Sequence, residues 1–150
     1  MAEQKPETFK GKVTWTGGRT WDVQGECDVV VAGGSPVRFG GQSGRWSPED
    51  FYLAGLNSCH LAFLLYITRS KKIRIVSYEA EIEGNLDCHL SKDTMCFTEA
   101  VIRPKIVIKK EEDREKLIES LHEAHDLCYI GNSVNSRLKI EPEISVEGGE

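Results

Sequence analysis

Between Phe51 and Ile67 the chain is apolar almost all the way round: Phe-Tyr-Leu-Ala-Gly-Leu-Asn-Ser-Cys-His-Leu-Ala-Phe-Leu-Leu-Tyr-Ile. A surface helix shows one apolar stripe, and this run lacks that asymmetry. Ser47 suits an N-cap and Pro48 the first helical position. Glu49 and Asp50 complement the positive end of a helix, and Lys71 and Lys72 the negative end. The pattern predicts a helix over 47–70. A membrane span needs roughly 20 mostly apolar residues. This run is shorter, and Asn57, Ser58 and His60 interrupt it, so a buried core helix is expected.

A second helical pattern covers 111–130. It opens on Glu111, Glu112 and Asp113, and Leu117, Leu121, Ala124 and Cys128 follow at helical spacing on one face. Ile118 and His125 lie beside that stripe, and Gly131 and Asn132 suit its C-terminal end. The remaining segments alternate with a period of two. Residues 9–46 are strand-like and punctuated by Gly17-Gly18 and Gly33-Gly34, with Gly40, Gly41 and Gly44 in a loop before the first helix. In 73–108, Ile75, Ser77, Glu79, Glu81 and Glu83 sit on one parity and Val76, Tyr78, Ala80 and Ile82 on the other. Phe97–Ile108 and Leu138–Val146 read as strands too.

This order predicts a single α+β domain over 1–150 with antiparallel strands. A helix with no polar face needs cover on every side. One modest sheet and one further helix leave part of it open, so a homodimer is expected.

Charge and composition narrow the partners. The chain has 150 residues and a formal net charge of −5, which disfavours nucleic acid and anionic membranes. The first residues contain no apolar signal-like stretch, so a cytoplasmic location is expected. Five cysteines, an odd number, with no Cys-x-x-Cys argue against a disulfide framework and for reduced thiols.

Candidate chemistry collects around two of them. Cys128 lies on the core-facing stripe of the second helix, and Cys59 in the middle of the first, against which that stripe must pack. The two thiols are therefore able to approach. Cys59 sits in a polar island, Asn57-Ser58-Cys59-His60, and an unpaired buried polar group costs about 1–3 kcal/mol. Arg38 and Glu49 flank the glycine-rich approach to this helix, and His125 precedes Cys128 by one turn.

Ser47-Pro48-Glu49-Asp50-Phe51 followed by Gly55-Leu-Asn-Ser-Cys59, with His125-Asp-Leu-Cys128 later, resembles the OsmC/Ohr family of osmotically inducible and organic hydroperoxide resistance proteins. The resemblance covers about residues 9–146. It implies antiparallel sheets around a long central helix with a second helix, in an intertwined dimer. It implies a thiol-dependent peroxidase that reduces organic hydroperoxides, and hydrogen peroxide less well. By position, Cys59 is implied as the peroxidatic cysteine, Cys128 as the resolving one, and Glu49 as the acid that holds a catalytic arginine. That arginine is implied as Arg38, or as Arg19 in the alternative branch. An external dithiol or lipoyl-type reductant, with no cofactor and no metal, completes the implied cycle. The sequence departs from the family pattern at Ser58, at His60 and at Tyr129, which stands where proline is usual.

The chemistry needs those residue types. An ionised sulfur in an apolar helix requires a cation, since burial alone disfavours the thiolate. Arginine keeps its charge when partly buried, and its fork binds a carboxylate and a peroxide together. Phe39, Phe51, Leu56 and Tyr129 are candidate apolar walls, with Phe63 either wall or core. Three other readings stand beside this one. Cys88, His89, Cys96, His125 and Cys128 offer nitrogen and sulfur ligands for zinc at non-standard spacings. Cys59 with His60, His122 or His125 is a hydrolase pair. A catalytically idle small-molecule binding protein of the same shape is the main alternative.

Overall fold

Short β-branched runs separated by glycines form the first part of the chain. The computed structural model describes residues 5–89 and 93–149. The chain divides into two units, Met1–Tyr52 and Leu53–Glu150.

In the first unit, β1 (Lys12–Gly17), β2 (Thr20–Gln24) and β3 (Val30–Gly34) make an antiparallel sheet in that order. The register aligns Val13 with Val23 and Val31, and Trp15 with Trp21. Side chains alternate across a strand, so these residues share one apolar face. Trp15 on that face is 72% exposed. Beyond β3 a 3-10 turn, Val37–Phe39, ends at Gly40, whose φ of 83° suits glycine. The first helix, α1 (Pro48–Ser70), then begins where the sequence predicts. Its start is a reciprocal capping box: Asp50 N–H donates to Ser47 Oγ at 3.1 Å, and Ser47 N–H donates to Asp50 Oδ2 at 2.8 Å.

In the second unit, β4 (Ile75–His89) and β5 (Thr94–Ile108) pair antiparallel over nearly their whole length. The period-two pattern is realised: Glu79, Glu81 and Glu83 stand opposite Lys105, Arg103 and Val101. Arg103 also bonds Glu141 at 3.1 Å. α2 (Arg114–Leu127) packs its stripe into a core of Leu64, Ile67, Ile73, Ile106, Ile108, Leu117, Leu121 and Ala124. Gly84 lets α1 approach β4, because a Cβ there would stand 2.7 Å from Leu53 Cδ2.

Three sequence expectations are corrected here. The second helix does not run through 111–130. A 3-10 turn, Glu111–Asp113, precedes α2, which stops at Cys128, and a four-residue helix, α3 (Tyr129–Asn132), follows. The reason is local: Cys128 adopts an extended ψ of 107° and caps both helices. The final strand is two, β6 (Arg137–Ile140) and β7 (Glu143–Val146), split around Pro142, which cannot donate to a ladder. Both run parallel to β5, whereas antiparallel strands are expected from the sequence. Pro104 sits in the interval of β5 between these two partners.

α1 buries Leu56, His60, Leu64 and Ile67 along one face. On the opposite face Leu65 is 49% and Tyr66 72% exposed. The helix is long and apolar enough to cross a membrane by length and composition. Its buried face belongs to the core of the second unit.

Candidate redox site

Cys59 on α1 and Cys128, the residue that caps α2, have neighbouring sulfurs. Cys128 is fully buried, and Cys59 is half-buried. Burial pushes the Cys128 thiol up to about 11, with a further upward push from the neighbouring Cys59 thiol; the peptide N–H groups of Gly131 and Ile130 pull the other way. The Cys128 Sγ accepts the Gly131 N–H at 3.2 Å. Both cysteines are free thiols.

The polar island around Cys59 finds partners on both sides of the helix. Asn57 donates through Nδ2 to the Ala80 carbonyl at 3.0 Å, and Ser58 bonds back to the Ala54 carbonyl at 2.6 Å. His60 is fully buried, with Nε2 3.3 Å from the Leu121 carbonyl of α2. A carbonyl only accepts, so Nε2 carries the proton and Nδ1 is the bare nitrogen. Burial holds His60 below its usual pKa, the Leu121 bond opposes this, and nearby His125 lowers it further. The Nδ1 atoms of both histidines are buried with no hydrogen-bond partner among the described residues. Sequence reasoning places His60 in the polar island and gives it no partner; its spacing of four from Leu56 and Leu64 is the signal that it shares their buried face.

The first unit holds the arginines and the acid. Arg38 is exposed on the 3-10 turn. Arg19 donates through Nη1 to the Phe39 carbonyl, beside Arg38 in sequence. A Cβ on Gly40 would approach that nitrogen to 2.7 Å, so glycine serves both the turn and the guanidinium. The Glu49 Oε2 is buried without a hydrogen-bond partner among the described residues.

The proposed walls differ in exposure. Phe39 is exposed and Phe51 rests against Trp46, with ring centroids 5.2 Å apart. In the second unit Leu56 is fully buried, while Tyr129 is exposed and meets Phe63 edge-on at 4.8 Å. Cys88 and Cys96 pair with Met95 and Asp87, one step apart on the β4–β5 ladder, so their side chains point to opposite faces. The His89 side chain lies outside the described residues, and no metal-holding group of three or more His, Cys, Asp or Glu occurs among them. Cys27 is exposed.

Residues 40–143 match the model of the OsmC-like protein family. The chain belongs to that family. As an OsmC-like protein it is 27% identical over 141 residues to organic hydroperoxide resistance protein OhrB of Bacillus subtilis, covering 91% of this chain and 97% of the relative. An OsmC-like protein of unknown function from Vibrio cholerae shares the fold at a TM-score of 0.85 and 22% identity, covering 92% and 100% of the two chains. The crystal structure of Bacillus subtilis OhrB superposes with a TM-score of 0.61 at 22% identity, covering 93% and 98%. The α+β, OsmC-like fold expected from the sequence is therefore established.

Proposed function

We propose that this OsmC-like protein is a thiol-dependent peroxidase that reduces organic hydroperoxides, and hydrogen peroxide less well. The meeting of Cys59 and Cys128 carries the reading: one sulfur is reachable, and a second, buried one stands beside it. The name of the Bacillus relative supports the substrate class.

In the first step the Cys59 thiolate attacks the terminal oxygen of ROOH. The O–O bond breaks, RO⁻ takes a proton to leave as the alcohol, and Cys59 becomes a sulfenic acid. Cys128 then attacks that sulfur, forming the Cys59–Cys128 disulfide and releasing water. An external dithiol, of lipoyl type in this reading, takes the disulfide by exchange and is itself oxidised; no cofactor is needed. A guanidinium about 4 Å from a thiolate contributes roughly 4 kcal/mol at an effective dielectric near 20. The reading assigns that role to Arg38, with Arg19 as the alternative, and the aiming carboxylate to Glu49. The unpartnered Glu49 Oε2 supports this, as an acceptor suited to a guanidinium fork. Phe39, Phe51, Leu56 and Tyr129 are assigned as apolar walls that favour a hydrophobic peroxide by burial.

The same reading includes a cytoplasmic homodimer. Two apolar surfaces left open in one chain support the dimer: the Val13–Trp15 face of the first sheet and the Leu65–Tyr66 face of α1.

The test is consumption of cumene hydroperoxide with a dithiol. Cys59→Ser abolishes turnover, and Cys128→Ser leaves one turnover and a trapped sulfenic acid. Loss in Arg38→Ala with retention in Arg19→Ala assigns the cation. Full activity in Cys59→Ser overturns the proposal and leaves an idle binding protein as the reading.

A further inference from the structure

We propose that His60 is a positioning residue for the disulfide-forming step, holding α2 so that Cys128 reaches the oxidised sulfur of Cys59. The inference rests on the peroxidase reading above, and its test separates the two.

His60 immediately follows Cys59 on α1, and its Nε2–H donates to the Leu121 carbonyl of α2. Leu121 and Cys128 are seven residues apart, two turns, and so share a face. The link therefore ties α1, which bears Cys59, to α2, which Cys128 caps, through residues that neighbour each sulfur in sequence or by face. The Leu121 carbonyl lies inside α2, away from the helix end, so this bond is not a cap. An apolar residue would fill this core position without needing a partner, whereas imidazole leaves a buried, bare Nδ1. What the ring adds is a directional bond to one carbonyl of the helix that Cys128 caps.

Resolution joins Cys59–SOH and Cys128–SH into a disulfide and water, with the thiol proton leaving on the hydroxyl. It is sensitive to approach, because Cys128 is buried and cannot swing in from solvent. Of the two sulfurs, the peroxide step uses only that of Cys59. A positioning role for His60 therefore divides the two steps.

The experiment compares His60→Leu with His60→Gln, whose amide can donate to the same carbonyl. One equivalent of cumene hydroperoxide is added to reduced protein, and sulfenic acid (by dimedone capture) and disulfide are followed with time. His60→Leu forms sulfenic acid at the wild-type rate but disulfide roughly tenfold or more slowly, and His60→Gln recovers most of the loss. A second measurement uses no peroxide: the Cys59–Cys128 disulfide is equilibrated with a glutathione redox buffer. Its effective concentration falls in His60→Leu and recovers in His60→Gln.

Wild-type disulfide rates and glutathione equilibria in His60→Leu overturn the positioning role. So does a His60→Gln protein as impaired as His60→Leu, or slowing of both steps alike. If His60→Leu does not fold, His60→Gln decides alone: a wild-type effective concentration supports the role and a loss overturns it. Absence of both sulfenic acid and disulfide in wild type after peroxide defeats the peroxidase reading, while the glutathione arm still decides the role of His60.

Discussion

The Sγ of Cys128 accepts the backbone N–H of Gly131 at 3.2 Å, so one sulfur both stands beside Cys59 and caps the short helix α3. A cap whose acceptor is deleted typically costs about 1 kcal/mol. Cys128→Ser keeps an oxygen acceptor at this position and Cys128→Ala does not. Cys128→Ala is therefore expected to be less stable than Cys128→Ser by about 1 kcal/mol in urea unfolding. Equal midpoints contradict a capping role for the sulfur.

Acid lowers stability through His60. Its pKa is held below the usual 6.5 in the folded chain, chiefly by burial, with His125 adding to the effect and the Leu121 bond opposing it. Below about pH 6.5 the unfolded chain binds a proton that the folded chain resists, so stability falls as pH falls. Urea midpoints at about pH 7.5 and about pH 5 are expected to differ more for wild type than for His60→Gln, which has no proton to bind.

Alkali acts through two groups with the opposite sign. Burial raises the Tyr78 phenol to about 12 and the Cys128 thiol to about 11, the latter with help from Cys59. Both are ionised more readily in the unfolded chain, so their contribution is complete below the ordinary values of 9.0 for the thiol and 10.0 for the phenol and fades above them. Tyr78→Phe is expected to flatten the loss of stability above about pH 10 without changing the midpoint slope at neutral pH. An unchanged alkaline limb contradicts the burial of this hydroxyl.

The exposed face of α1 gives the fourth prediction. Native mass of the wild-type protein is expected at twice the chain mass of 16.8 kDa. Tyr66→Glu places a charge where the proposed dimer needs apolar surface, and is expected to shift the mass toward the monomer. A wild-type monomer contradicts the dimer.

The start of α1 was legible because its signals are local: Ser47, Pro48 and Asp50 act within one turn. The stripe Leu117–Leu121–Ala124–Cys128 was legible for the same reason, since its periodicity is written along one helix. The break at Cys128 was not. His125-Asp-Leu-Cys-Tyr-Ile fits a helix by composition, and the extended backbone at Cys128 accompanies a hydrogen bond that its sulfur accepts from the peptide N–H three residues on. The direction of β6 and β7 depends on how the chain returns after α3, which no strand pattern encodes. Pro142 marks where the last run divides, a signal that the reading of one strand over Leu138–Val146 did not use. His60 is the instructive case: its spacing from Leu56 and Leu64 fits the buried face, a signal the sequence reading did not use, and its partner, a backbone carbonyl on another helix, carries no sequence signal at all.

The most direct measurement is a peptide map under non-reducing conditions after reduced protein meets one equivalent of cumene hydroperoxide. The account predicts one new cross-linked species joining the peptides of Cys59 and Cys128, lighter by two hydrogens, with Cys27, Cys88 and Cys96 still free. Five unmodified thiols, or a cross-link that omits Cys59 or Cys128, contradict it.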